Sequence, residues 1–148
     1  MITADTNVFV YNVDVHDPDK HRASQEIVDA LAARGAPIAL QVAGEFYSAL
    51  TRKLRRPPWQ AAQAARNLMT IFPVISATRH SSERALAEAA SGRLSFWDAN
   101  LLSAAEEGSC THIISEDMQD GTRLGRLEVV KAFEAGKVSA RAREILGL

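Results

Sequence analysis

IISEDMQDG, Ile113 to Gly121, sends two β-branched apolar residues suited to a buried strand straight into Glu116, Asp117 and Asp120, with no basic residue among them. Carboxylates crowded at the mouth of a core need compensation, because a charge taken out of water without a partner is costly. On either side of this stretch the chain repeats one pattern: a short apolar strand, a polar turn, then an amphipathic helix.

Upstream, CTHIIS predicts the strand itself, and FWDANLLSAAEEG before it a helix stopped at Gly108. SSERALAEAASGR predicts a helix capped by Ser81 or Ser82, and Pro73 to Ile75 a brief strand. WQAAQAARNLMTIF places Ala62, Ala65, Leu68, Met69 and Phe72 at helical spacing, and AGEFYSALTRKLRR predicts a helix ending at Pro57-Pro58. PIALQV predicts a second strand. From about Lys20 a helix carries Ala23, Ile27, Ala30 and Leu31 on one face and stops at Gly35. MITADTNVFVY opens the chain as a strand broken by polar residues 5 to 7, after which the apolar pattern resumes. Downstream, RLEVVKAF predicts a last strand; residues 134–148 form a tail, part of the same domain or an appended helix.

Strands alternating with helices predict a single-domain three-layer α/β/α sandwich around a central, mostly parallel sheet, its main body spanning residues 1–133. Ligands of such sheets sit outside the carboxyl ends of the strands. The 148 residues suffice for one real core. Lys plus Arg number 17 against 18 Asp plus Glu, so no global basic field holds a polyanion. A nucleic acid partner therefore needs a local basic patch or a metal. The single cysteine, Cys110, forms no intramolecular disulfide, and no signal peptide or membrane span is evident. Cytoplasmic residence is the expectation, with no membrane partner.

On this frame Asp5 ends the first strand, Glu45 sits in the first turn of the helix after PIALQV, Asp98 lies near the start of the FWDANLL helix, and Asp117 follows the strand ending at Ser115. All four belong to one edge and should converge. Two carboxylates about 4 Å apart repel by roughly 4 kcal/mol at an effective dielectric near 20, and a divalent cation removes that conflict. Oxygen-only ligands select Mg²⁺ or Mn²⁺ over zinc, and such an ion suits phosphodiester hydrolysis. Helix N-termini at Glu45 and Asp98 would help keep those acids ionised.

DTNVFVY with Asp5, QVAGEF with Glu45, FWDANL with Asp98 and ISEDMQDG with Asp117, in this order and spacing, resemble the PIN domain nucleases, and within them the VapC-like toxins of type II toxin–antitoxin systems. The resemblance runs from Met1 to about Phe133. It implies a Mg²⁺- or Mn²⁺-dependent endoribonuclease, dimeric with itself and inhibited by a cognate antitoxin that occupies the active-site groove. By the same resemblance Asp5, Glu45 and Asp98 hold the principal metal and Asp117 completes the site or binds a second ion. Thr6, Asn7 and Ser115 would orient the carboxylates. One departure stands out. Many members carry an aromatic residue soon after the fourth acid, whereas here Asp120 and Gly121 follow, so Asp117 and Asp120 could divide or exchange that role.

Other signals have plainer readings. Glu116 is expected to face water, and Phe96 and Trp97 to pack in the core rather than stack on bases. His16, His21, His80 and His112 form no metal-binding spacing. TRKLRRPP, with Arg52, Lys53, Arg55 and Arg56, is the only dense basic run and the best candidate for phosphate contacts, ahead of Arg79, Arg84, Arg123 and Arg126. A haloacid-dehalogenase-type phosphatase would need an Asp where Asn7 stands, and a receiver domain an Asp after Pro73-Val74-Ile75, where SATR follows. The alternative from another class is a catalytically silent RNA-binding or scaffold module with a PIN-like fold.

Overall fold

Ile113 and Ile114 are neighbours in one strand and both are fully buried. Consecutive strand side chains point to opposite faces, so the sheet that holds them is covered on both. Burying each such side chain contributes about 1.5–3 kcal/mol. In the computed structural model, which describes Met1 to Leu148, β1 (Ile2–Ala4) leads into α1 (Thr6–Tyr11) and α2 (Pro18–Ala33), then β2 (Ile38–Ala39), α3 (Leu40–Arg52), α4 (Pro58–Ile71) and β3 (Val74–Ile75). The second half runs α5 (Arg79–Ala90), α6 (Phe96–Glu107), β4 (His112–Ser115), β5 (Arg123–Leu124), β6 (Leu127–Lys131), β7 (Phe133–Glu134), β8 (Lys137–Val138) and α7 (Ala140–Leu146).

The main sheet has the order β1-β4-β6-β5. β1, β4 and β6 are parallel, with Ala4 opposite Ile114 and Ile114 opposite Val130, and only the short edge strand β5 is antiparallel. β2 and β3 pair in parallel and pack beside β1. α6 lies against β5 and β6 with α5 stacked on it; α7 reaches β6 and α2. The α/β class and mostly parallel sheet are as expected. No helix is long and apolar enough to cross a membrane.

Several local expectations shift, each for a physical reason. The break at residues 5 to 7 is a helix start: Asp5 is extended, accepts the Thr6 amide at 2.6 Å, and turns β1 directly into α1. PIALQV is strand only at Ile38–Ala39, and α3 begins at Leu40. Glu45 therefore stands in the second turn, beyond the free N–H groups expected to help it. The cap of α5 is Thr78 rather than Ser81 or Ser82; Ser81 is its reciprocal partner three residues on. The α2 face is as read, with Ala23, Ile27, Ala30 and Leu31 buried, whereas on α4 Met69 is exposed and Ala61 takes an inward place.

The last predicted strand ends at Lys131. Phe133 starts a separate two-stranded hairpin, β7–β8, and Ser139 caps α7. Ala142 and Leu146 of α7 are fully buried in the same apolar cluster as Ile113, Ile114 and Leu127.

Candidate active site at the carboxyl ends of β1 and β4

Parallel pairing of β1 with β4 brings Asp5 and Ser115 to the same end of the sheet, and the Asp5 amide continues the ladder to the Ile114 carbonyl at 2.9 Å. Ser115 is fully buried. Its hydroxyl donates to Asp5 Oδ2 at 2.9 Å and accepts the Met118 amide at 3.2 Å, joining the first acid to the loop that carries the fourth. Asp5 is half-buried. Desolvation pushes its carboxyl up to about 6; the charges of Glu45 and Asp117 push the same way, against the hydrogen bonds from Ser115 and Thr6.

Each polar residue singled out beside the acids meets one of them. The Thr6 hydroxyl donates to Glu45 Oε2 at 2.5 Å, and the Asn7 amide donates to Asp117 Oδ2. Two further residues, unremarked in the sequence, complete the arrangement. Gln41 Nε2 donates to Glu45 Oε1 at 2.7 Å and to the Trp97 carbonyl at 3.0 Å, while its Oε1 accepts from Asn100 Nδ2 at 2.8 Å. Gln41 lies one helical turn before Glu45 and Asn100 two residues after Asp98. Their side chains thus tie the helix bearing one acid to the helix bearing another. Asp98 stands three residues past the cap of α6, its amide held by Ser95 Oγ at 3.1 Å.

Asp5, Glu45, Asp98 and Asp117 all line one cleft of about 1010 Å³, with Gln41, Asn100, Trp97, Arg52 and Lys53. None of the four is in an ion pair, although eight pairs between Lys or Arg and a carboxylate form elsewhere. The partners of Asp5, Glu45 and Asp117 are neutral donors, which satisfy lone pairs without cancelling charge. The convergence falls short of the expectation in one respect: no three His, Cys, Asp or Glu side chains stand close enough to form a metal-binding group. The acids share a cleft rather than a coordination sphere. Their chemistry still fits a hard cation, being all oxygen and with no Arg or Lys paired to any of the four.

Other candidates lie elsewhere. Asp120 is outside this lining and accepts the Lys131 amide at 2.8 Å, so the structure separates it from Asp117. Glu116 does not simply face water: it pairs with Lys20, which also donates to the Tyr11 hydroxyl at 3.2 Å. Of the basic run, Arg52 and Lys53 reach the cleft, whereas Arg55 and Arg56 do not, because the chain turns at Arg55 (φ 54°) and Arg56 bonds the Val13 carbonyl at 3.0 Å. Arg79, Arg84, Arg123 and Arg126 are engaged with Glu83, Glu106, Glu128 and Glu106 respectively.

The fold is shared with solved structures. A chain of the Rickettsia felis VapBC2 complex with a promoter DNA fragment superposes with TM-score 0.62 at 14% identity, over 88% of this chain and 98% of that one. A toxin–antitoxin complex from Klebsiella pneumoniae gives 0.59 at 18%, covering 86% and 95%. VapC20 of Mycobacterium tuberculosis, described as a sarcin–ricin loop cleaving toxin, gives 0.59 at 22%, covering 76% and 87%. No curated protein matches the chain significantly. Residues 2–119, which hold β1, β4, Asp5, Glu45, Asp98 and Asp117, match the PIN domain family model, and the chain therefore belongs to the PIN domain family.

Proposed function

We propose that this protein is a Mg²⁺- or Mn²⁺-dependent endoribonuclease, the toxin of a toxin–antitoxin pair. One observation carries the reading: four carboxylates from four separate elements line a single cleft without a basic partner among them. A structural acid is normally paired or left in open water. Asp5, Glu45, Asp98 and Asp117 would hold the ion, which when bound supplies Lewis acidity toward a phosphate oxygen and a water. Ser115, Thr6, Asn7 and Gln41 fix the carboxylate orientations, and Arg52 and Lys53 offer cations to neighbouring phosphates on the same cleft.

The toxin assignment and the antitoxin partner are supported by the two complexes of this fold and by the RNA-cleaving toxin similar to it. The partner expected is a small protein whose segment enters the acid cleft and competes with RNA. The decisive measurement is RNA cleavage by purified protein with and without Mg²⁺ or Mn²⁺, beside the Asp5→Asn variant and RNA binding by both. Metal-dependent cutting lost in Asp5→Asn supports the reading; binding without cutting at any metal concentration identifies a silent RNA-binding module instead.

A further inference from the structure

Trp97 was expected in the core, yet its side chain is 63% exposed and lines the acid cleft. Leu40, next to Gln41, is 48% exposed on the same cleft. An indole left in water forgoes a large burial gain. Its position is nevertheless firmly set. The ring packs edge-on against Phe96, with centroids 5.0 Å apart and planes at 71°. The Trp97 carbonyl accepts from Gln41 Nε2, the same nitrogen that holds Glu45, and Asp98 is the next residue. The exposed ring is thus built into the scaffold that orients two of the acids. The other tryptophan, Trp59, is 70% exposed but lies outside the cleft.

We propose that Trp97 is a positioning residue of the cleft, a platform on which one nucleobase stacks next to the phosphate bound at the acids. This rests on the nuclease reading above and adds to it a residue that positions the substrate. An indole face accepts any base, but only one that is free of its own stack. Arg52 and Lys53 line the same cleft and offer cations to a phosphate chain flanking the stacked base. A base between aromatic ring and carboxylates also holds the adjoining backbone where the acids can act on it.

The test uses Trp59→Phe, which leaves Trp97 as the only indole in the chain. Its fluorescence is followed during titration, in Ca²⁺ in place of Mg²⁺, with a short unpaired RNA, the same RNA carrying an abasic site, and a blunt duplex, while anisotropy of labelled RNA reports binding independently. The unpaired RNA should quench Trp97 and the duplex should not, with quenching lost when the abasic site falls at the cleft. Trp97→Ala should weaken unpaired-RNA binding about 5- to 100-fold, with Trp97→Phe retaining most of it. In Mg²⁺, Trp97→Ala should narrow the preference for unpaired over paired substrate.

RNA bound or cut normally with unchanged Trp97 emission, or a duplex that quenches equally, overturns the stacking proposal and leaves the nuclease reading standing. Emission that shifts with protein concentration alone overturns it in favour of contact with a second copy. Absence of both binding and cutting removes the nuclease reading, and the stacking site with it.

Discussion

The two ends of α6 treat a carboxylate in opposite ways. At the C-terminal end Glu106 meets Arg84 at 3.0 Å and Arg126 at 3.7 Å and accepts the Arg126 amide, which together hold its carboxyl below the usual range in spite of desolvation. The β5–β6 turn closes over it, and a Cβ on Gly125 would fall 2.7 Å from Glu106 Oε1. At the N-terminal end Asp98 opens onto a cleft shared with three other acids and has no basic partner. One helix therefore carries an acid that serves the fold and an acid the fold leaves uncompensated. Composition does not separate them; the presence or absence of a counter-charge does. A partly exposed ion pair contributes up to about 1 kcal/mol, whereas charges left bare in a shared recess are a standing cost that only a ligand relieves.

Substitutions at the two ends should separate cleanly. The largest effect is expected at the bare end, where Asp98→Asn should lower metal-dependent RNA cleavage by about 100- to 1000-fold with little change in melting temperature. Retained activity would show that its exposure has no chemical purpose. Next come the neutral residues behind Glu45, which Gln41 holds directly and Asn100 holds through Gln41. Gln41→Leu or Asn100→Ala should cost about 10- to 100-fold in activity or metal affinity, read by metal titration of cleavage rates. An effect on stability alone would make both residues structural.

The third test is one of pH. Asp5, pushed up to about 6 from an ordinary value of 3.8, binds its proton more tightly in the folded chain than in the unfolded one. That contribution to stability is whole below about pH 4 and is lost as pH rises through about 6. In metal-free protein Asp5→Asn should accordingly be more stable than the parent by about 1–2 kcal/mol at neutral pH, after discounting for partial solvent screening, and show no advantage near pH 4. Saturating Mg²⁺ should reverse the order by stabilising only the parent. Denaturant melts across that range decide it, and a pH-independent difference would sink the uncompensated-charge argument. The smallest effect belongs to the paired end: Glu106→Gln should cost about 1 kcal/mol of stability and leave cleavage within about twofold of the parent.

What the sequence disclosed follows the same division. Asp5, Glu45, Asp98 and Asp117 were legible because a charge beside an apolar strand or helix start is conspicuous, and parallel topology says which edge they share. Gln41 and Asn100 were not, since an uncharged amide in a helix gives no sign of unmet need until its neighbours are placed. A count of one helical turn back from Glu45 would have raised Gln41. Helix α1 was hidden because Asp5 is both an acid of the cleft and the cap that starts it. The β7–β8 hairpin escaped because its two-residue turn is Ala135-Gly136, with φ of 48° and 74°; a pair of positive φ values is ordinarily announced by Asn-Gly. Trp97 defeated the rule that large aromatics belong inside, and positions that break such rules are where function is expected.

Helix α7 has a practical consequence. The family model ends its match at residue 119, yet Ala142 and Leu146 plug the hydrophobic interior alongside β4 and β6. A protease that clips ahead of Ser139, or an expression fragment designed from the family boundary, would uncork that interior where α7 meets β6 and α2. Loss of as few as ten residues at the far end would then silence the cleft without touching any of its four acids.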